Sequence, residues 1–280
     1  MRWIRVAIWL IVPPLCLVRA GADEPFRRLS EWRPIFQGVE LIDLAASHPR
    51  LMRGHAVQID LSTPGLGFLA TPDNGDRPGH TDGLKTSTFL ARFKCQLAIN
   101  AAPFSPIHSE EGKPQEIEGL TISQGRVVSP PKGNYPALVL TKDNRARITR
   151  PPVQTEGVYN AVSGFGIVLE KGRVSDGGSD VHPRTAAGIS RDGKRLFLLV
   201  IDGRQPSYSL GATTAEVGHW LLALGAWDGI NLDGGGTSTL VIEQPEGFTI
   251  VNRPIHAGKP GTERVAGSHL GIYAPPRTTK

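Results

Sequence analysis

Residues 230–240 read Ile230-Asn231-Leu232-Asp233-Gly234-Gly235-Gly236-Thr237-Ser238-Thr239-Leu240. Each glycine loses much backbone freedom on folding. Three in a row therefore belong where the chain turns sharply or where another group must come close. Polar residues flank the run and apolar ones lie outside them, which predicts strand, polar glycine turn, strand. Side chains alternate along a strand, so Asn231 and Asp233 share one face and Leu232 takes the other. Successive N–H groups of such a turn can form a concave anion nest, to which Thr237, Ser238 and Thr239 add hydroxyls. The plainer alternative is a tight hairpin whose Asp and Asn satisfy local backbone donors. A phosphate placed against ionised Asp233 is repelled, so Asp233 suits a sugar hydroxyl, a developing positive charge or a metal ion.

An anionic ligand then needs a cation from elsewhere. Arg184, in His182-Pro183-Arg184-Thr185, offers a planar donor fork that matches phosphate. It precedes an expected strand over Ala186–Ile189 that pairs with Leu196–Ile201 around Arg191-Asp192-Gly193-Lys194. The register decides its neighbour: a two-residue turn sets Arg184 opposite Ile201, a three-residue turn opposite Asp202. An Arg184–Asp202 ion pair is the structural alternative to a ligand site. Leu196–Ile201 is apolar on both faces, as expected of a central strand covered on both sides. His182 has a pKa suited to proton transfer, or is simply an exposed ring before a proline. Asn100 ends the strand Cys95–Asn100 and either binds a ligand hydroxyl or stabilises a turn.

Thr213–Leu224 is the clearest helix. Thr213 with Glu216 makes a capping box, Val217, Trp220, Leu221 and Leu224 form one apolar face, and Gly225 ends it. Capping suffices to explain Glu216, which is also a candidate catalytic carboxylate. A short helix is expected over Thr86–Phe93. Hairpins turn at Gln124-Gly125 and Asp143-Asn144, Tyr159–Leu169 reads as one glycine-rich strand, and Pro64–His80 reads as a long surface loop. With 33 Gly and 23 Pro in 280 residues, many short strands are the expectation.

The amino terminus carries Arg2 and Arg5, an apolar stretch over Val6–Val18 and the small residues Ala20-Gly21-Ala22, which identify residues 1–22 as a cleaved signal peptide. The apolar stretch is short, and broken by Pro13-Pro14, which disfavours a spanning helix; a periplasmic or secreted protein with no membrane span after cleavage is expected, and a retained membrane anchor is the alternative. Cleavage removes Arg2, Arg5 and Arg19 and no acid, lowering the formal charge from +5 to +2. No dense basic stripe is left, which argues against nucleic acid. Cys95 becomes the single cysteine, so the core and not a disulfide must stabilise the fold. Residues 23–36 read as a flexible lead-in and 37–276 as one domain. No histidine spacing suits a metal, and CxxC, P-loop and GxSxG patterns are absent. Asp and Asn oxygens suit Ca2+ or Mg2+, which leaves a divalent cation as an expected cofactor candidate.

Arg184-Thr185-Ala186-Ala187-Gly188-Ile189, Leu199-Val200-Ile201-Asp202-Gly203, Gly211-Ala212-Thr213, Leu224-Gly225-Ala226 and Asn231-Leu232-Asp233-Gly234-Gly235-Gly236-Thr237-Ser238-Thr239 occur in that order. Together they resemble the phosphodiester glycosidase family, most strongly over residues 160–243 and again at Gly267–Tyr273. The resemblance implies an α+β domain of mostly antiparallel or mixed sheet with few helices. It implies hydrolysis of a sugar-1-phosphate diester, with Arg184, Asp202, Asn231, Asp233 and the glycine turn lining the site. Bacterial relatives are described as exopolysaccharide biosynthesis proteins, so a sugar phosphate or polysaccharide is the expected partner. The family usually has Asn-Gly-Gly and aromatics where this chain has Asn100-Ala101-Ala102-Pro103-Phe104. A non-catalytic carbohydrate binder that keeps the cleft is the alternative.

Overall fold

The computed structural model describes residues 27–28 and 30–277; the expected signal peptide lies outside them. Among the described residues the largest sheet has nine strands. In spatial order they are Arg27–Arg28, Val39–Ala46, Met52–Asp60, Arg195–Ile201, Arg184–Ser190, Ala226–Asn231, Gly166–Glu170 and Arg173–Val174, with Arg33–Phe36 alongside Val39–Ala46. Two five-stranded sheets stand against it. One holds Leu240–Gln244, Leu97–Asn100 and His269–Tyr273; the other centres on Asn160–Ser163. The pairings are antiparallel throughout the central strands. Two α-helices accompany them, α1 (Thr86–Phe93) and α2 (Thr214–Leu224). The fold is therefore α+β and mostly antiparallel.

Arg195–Ile201 lies between Met52–Asp60 and Arg184–Ser190, and its two apolar faces feed two cores. Leu196, Leu198 and Val200 join the large core between the sheets, with Leu97, Ile99, Leu240, Leu270 and Leu232. Phe197, Leu199 and Ile201 meet Val217, Trp220, Leu221 and Leu224 of α2. The helix starts at the capping box formed by Thr213 and Glu216 and stops at Gly225 in the left-handed region (φ 104°). It packs onto a glycine pair, Gly188 opposite Gly229. A methyl on Gly229 would sit 2.6 Å from Leu221 Cδ1, so the missing side chains let the helix approach the sheet. Helix α1 covers the far side of a five-stranded sheet with Phe89 and Leu90.

Three stretches differ from the sequence-based expectation. Arg33–Phe36, within the expected lead-in, pairs with the strand Val39–Ala46 because Ile35 and Phe36 pack on the large core. Gly67–Ala70, inside the expected loop 64–80, pairs with His269–Tyr273; Phe68, Leu69 and Ala70 are buried. The surrounding prolines and glycines masked a strand only four residues long. Tyr159–Leu169 is two strands, Asn160–Ser163 and Gly166–Glu170, that belong to different sheets.

His269 illustrates the cost of the core. It is fully buried, stacked on Phe89 with ring centroids 4.7 Å apart, and its Nδ1 lies 3.3 Å from Thr71 Oγ1. Burial lowers its pKa from 6.5 to about 3. The unfolded chain takes up a proton that the folded ring refuses. This ring's contribution to stability is therefore complete above pH 6.5 and is lost as pH falls toward 3, at about 1.4 kcal/mol per pH unit. The gap in unfolding free energy between wild type and His269→Gln is expected to shrink by about 2 kcal/mol from pH 7 to pH 5. A gap that stays constant in urea titrations over that range contradicts this account.

Candidate active site

The glycine turn does not close a hairpin. Ala226–Asn231 ends in the nine-stranded sheet and Leu240–Gln244 begins in a five-stranded one, so the turn carries the chain across the gap between sheets. Gly235–Thr237 forms a short 3-10 turn on the way. Leu232 enters the inter-sheet core, opposite in direction to the polar residues beside it.

The turn and the Arg184 strand converge. Gly235 N–H donates to the Pro183 carbonyl at 2.9 Å, and a methyl on Gly234 would lie 2.7 Å from that oxygen and 3.6 Å from Arg184 Cα. The register places Arg184 opposite Ile201, and no ion pair joins Arg184 to Asp202 among the described residues. Arg184 instead donates from Nε to Ala212 O at 2.9 Å and from Nη2 to Asp180 O at 2.6 Å. These bonds hold the residues 180–184 against the start of α2.

Asp233 sits at the centre, buried at 9 % exposure. Thr237 Oγ1 lies 2.6 Å from its Oδ2 and Arg264 Nη2 lies 3.3 Å away. Burial pushes its pKa up, opposed first by Arg264 and then by the Thr237 hydroxyl. Asn100 buttresses it from behind. Its Nδ2 donates to Asp233 O and Thr237 Oγ1, and its Oδ1 accepts from Thr185 Oγ1 and Thr239 N. The Asn100 amide is thus fully occupied by protein. Asp233 N–H donates to Ala101 O, so the Asn100-Ala101 segment and the glycine turn form one unit. Neither Ala101 nor Ala102 has a positive φ, and both are buried.

Asp202 is 1 % exposed. Its carboxylate accepts from Asn252 Nδ2 at 2.8 Å, the Arg253 N–H at 3.0 Å and Tyr208 Oη at 3.3 Å. Burial raises its pKa against those donors. Asn252 also donates to Ser238 O and accepts from Leu240 N, so Asp202 reaches the turn through Asn252. Glu216 caps α2 through the Thr213 N–H at 2.8 Å and pairs with Arg50. Asn231 is buried, with Nδ2 on Leu232 O and Oδ1 without a partner among the described residues. Ser238 Oγ is also buried without a partner among the described residues.

Sequence reasoning missed the charges that dominate the turn. A methyl on Gly235 would lie 3.2 Å from Arg204 Nη2; one on Gly236 would lie 3.1 Å from Arg264 Cδ and 3.4 Å from His256 Nδ1. Arg204 Nη2 stands 3.5 Å from His182 Nδ1 and has no carboxylate partner among the described residues. Burial and then Arg204 and Arg184 pull the His182 pKa down; burial and then Arg264 do the same at His256. Both rings therefore favour the neutral state. Arg204 adopts φ +58°, a conformation that non-glycine residues keep mainly where function or surrounding contacts demand it. It directly follows the Asp202-Gly203 segment, a signal that was available in sequence. Arg264 and His256 come from a region without any motif.

The N–H groups predicted to cradle an anion are partly spent, that of Gly235 on the Pro183 carbonyl. Positive charge at the turn comes chiefly from guanidinium groups. The place beside Asp233 that a hard cation would take is held by Arg264. Among the described residues no three His, Cys, Asp or Glu side chains gather to hold a metal.

A model of the phosphodiester glycosidase family matches residues 93–273. The chain belongs to this family. No curated protein matches it. Among solved structures it resembles the catalytic domain of zebrafish N-acetylglucosamine-1-phosphodiester alpha-N-acetylglucosaminidase, auto-inhibited by its pro-peptide. The TM-score is 0.62 at 20 % identity, covering 89 % of this chain and 87 % of that one. It is also similar to a Burkholderia pseudomallei protein described as exported (TM-score 0.63, 16 % identity, covering 80 % and 74 %). A hypothetical Synechocystis protein gives a TM-score of 0.57 at 12 % identity, covering 86 % and 64 %. At these identities the likenesses show a shared fold. Family membership makes this a glycosidase-type hydrolase. Among the described residues no helix is long and apolar enough to cross a membrane.

Proposed function

We propose that this phosphodiester glycosidase is exported and cleaves a sugar-1-phosphate diester of envelope or extracellular polysaccharide. The observation that carries this reading is the pair of guanidinium groups, Arg204 and Arg264, on the triglycine turn beside the buried Asp233 carboxyl. Among the described residues Arg204 has no acidic partner and Arg264 shares one with the site itself, so the cluster has positive charge to spare for a phosphate. Departure of the phosphate monoester breaks the bond from the anomeric carbon to oxygen. The leaving oxygen gains negative charge, which the guanidinium groups stabilise, and the anomeric carbon gains positive charge, which Asp233 stabilises. Water adds to that carbon and loses a proton; His182, whose neutral state is favoured, is the group proposed to take it.

Asn100 and Asp202 act as positioning residues in this scheme, one fixing the backbone of Asp233 and the other holding Asn252 against Ser238. Asn231 and Ser238, whose side-chain oxygens have no partner among the described residues, are proposed to meet substrate hydroxyls, while Glu216 and Arg184 hold the helix start and the adjoining loop in place.

Release of sugar from nitrophenyl- or nucleotide-linked sugar phosphates tests the reading. Arg204→Gln is expected to raise KM roughly tenfold or more and to weaken inhibition by inorganic phosphate in parallel, with unchanged thermal stability. Equal phosphate inhibition of the two proteins removes the anion from this turn. Wild-type protein that binds glycans yet releases no sugar from any such substrate supports the non-catalytic binder, for which the changed Ala101-Pro103 loop is the structural ground.

A further inference from the structure

A cavity of about 230 Å³ is bounded by residues 165–168 and 175–178 with Thr214 and Asn231, the last residue of the strand Ala226–Asn231. It connects to the glycine turn through named contacts. Asn231 stands two residues before Asp233, about 7 Å of extended backbone. The loop that forms the opposite wall runs on to Asp180, whose carbonyl accepts from Arg184. Thr214 Oγ1 accepts from the Gly178 N–H and so pins that wall to the start of α2.

The lining distinguishes its occupant from a phosphate. Asp176 is exposed and has no hydrogen-bond or ion-pair partner among the described residues. Its carboxylate repels an anion and accepts bonds from hydroxyls. The Ser175 hydroxyl has no bond of its own among the described residues, and Asn231 stays buried at the floor with an unpartnered Oδ1. At the mouth stands Phe165, 55 % exposed, with Tyr135 beside it at 6.3 Å between ring centroids. Its N–H donates to Asn231 O at 2.8 Å, which fixes the ring's base to the strand that leads into the catalytic turn. Leaving a phenylalanine that exposed costs hydrophobic stabilisation, and an aromatic ring on a pocket lined by both apolar and polar groups suits a ligand with one apolar face and many hydroxyls.

We propose that this cavity is a pyranose subsite, in which Phe165 stacks on the C–H face of a neutral sugar ring while Asp176, Ser175 and Asn231 take its hydroxyls. It rests on the reading of the neighbouring turn as the phosphate site, and it adds where the uncharged part of the substrate goes. Two sources share this chemistry: the glycosyl unit that is cleaved, or a sugar of the chain carrying the phosphate.

The test uses the full mature chain and two readouts. In the first, a panel of methyl glycosides of glucose, galactose, mannose and N-acetylglucosamine, and their oligomers, is titrated by calorimetry. In the second, KM and kcat are measured with sugar-phosphate diesters. Phe165→Ala and Asp176→Ala are each expected to weaken sugar binding roughly five- to tenfold. Both should raise KM by a like factor and change kcat less than about twofold. Phe165→Trp restores affinity, whereas Phe165→Leu, which keeps an apolar side chain but no ring, does not. Monosaccharide binding assigns the subsite to the cleaved unit; binding of oligomers alone assigns it to the carrier chain. Unchanged binding and KM in both alanine variants overturns the proposal. Phe165-dependent sugar binding in a protein that hydrolyses no diester leaves the subsite standing and removes the hydrolase reading.

Discussion

Asp233→Asn is expected to reduce kcat/KM by about a thousandfold or more, with the loss in kcat. The substitution keeps size and leaves an oxygen for Thr237, which lies 2.6 Å from the carboxylate, so the fold should survive. It removes the negative charge that meets the developing cation at the anomeric carbon, and it leaves Arg264 without its carboxylate partner. Burial raises the Asp233 pKa above 3.8. Activity that needs the carboxylate should therefore be full well above that raised value and fall on its acid side, with a midpoint higher than an exposed aspartate shows. Sugar release followed from about pH 4 to 8 checks both statements. Activity of the Asp233→Asn protein within about tenfold of wild type ends any catalytic role for the residue.

Asn100→Ala is expected to cost about 3–4 kcal/mol of unfolding free energy and nearly all activity. Asn100 is completely buried and makes four side-chain hydrogen bonds, to Asp233 O, Thr237 Oγ1, Thr185 Oγ1 and Thr239 N. Truncation strands several buried partners at once, and unpaired buried polar groups are costly. They belong to three segments: the glycine turn, the strand Arg184–Ser190 and the approach to Leu240–Gln244. Stability and site geometry should therefore fail together. Urea unfolding that moves by less than about 1 kcal/mol shows that the joint is held by something else.

Local chemistry made several elements legible. The Thr213–Glu216 pair and the apolar stripe of Val217, Trp220, Leu221 and Leu224 announce α2. The continuous apolar run Leu196–Ile201 announces a strand between two cores, because both alternating sets of side chains are apolar. The convergence of Arg184 with the triglycine turn was legible only as an ordered set of segments. The ion-pair alternative for Arg184 could not be decided without the register, which sets it opposite Ile201.

Gly67–Ala70 and Arg33–Phe36 were not legible as strands, since four residues carry little periodicity and the partner strand supplies the hydrogen bonds. Arg264 and Asn252 were equally silent. Each is an ordinary polar residue in its own stretch, and its meaning comes from what it touches: Arg264 the Asp233 carboxylate, Asn252 both Asp202 and the Ser238 carbonyl.

The sequence by itself determined the well-capped helix, the hairpins and the triglycine turn with its aspartate, because propensity, capping and alternation act within a few residues; the α+β class followed from the resemblance carried by the ordered segments. Tertiary structure alone decided that the turn bridges two sheets, that Asn100 braces it, and that Arg204, Arg264, His182 and His256 surround it. Those contacts join segments tens of residues apart, and the burial and unpaired charge that give them chemical meaning exist only once the sheets have packed.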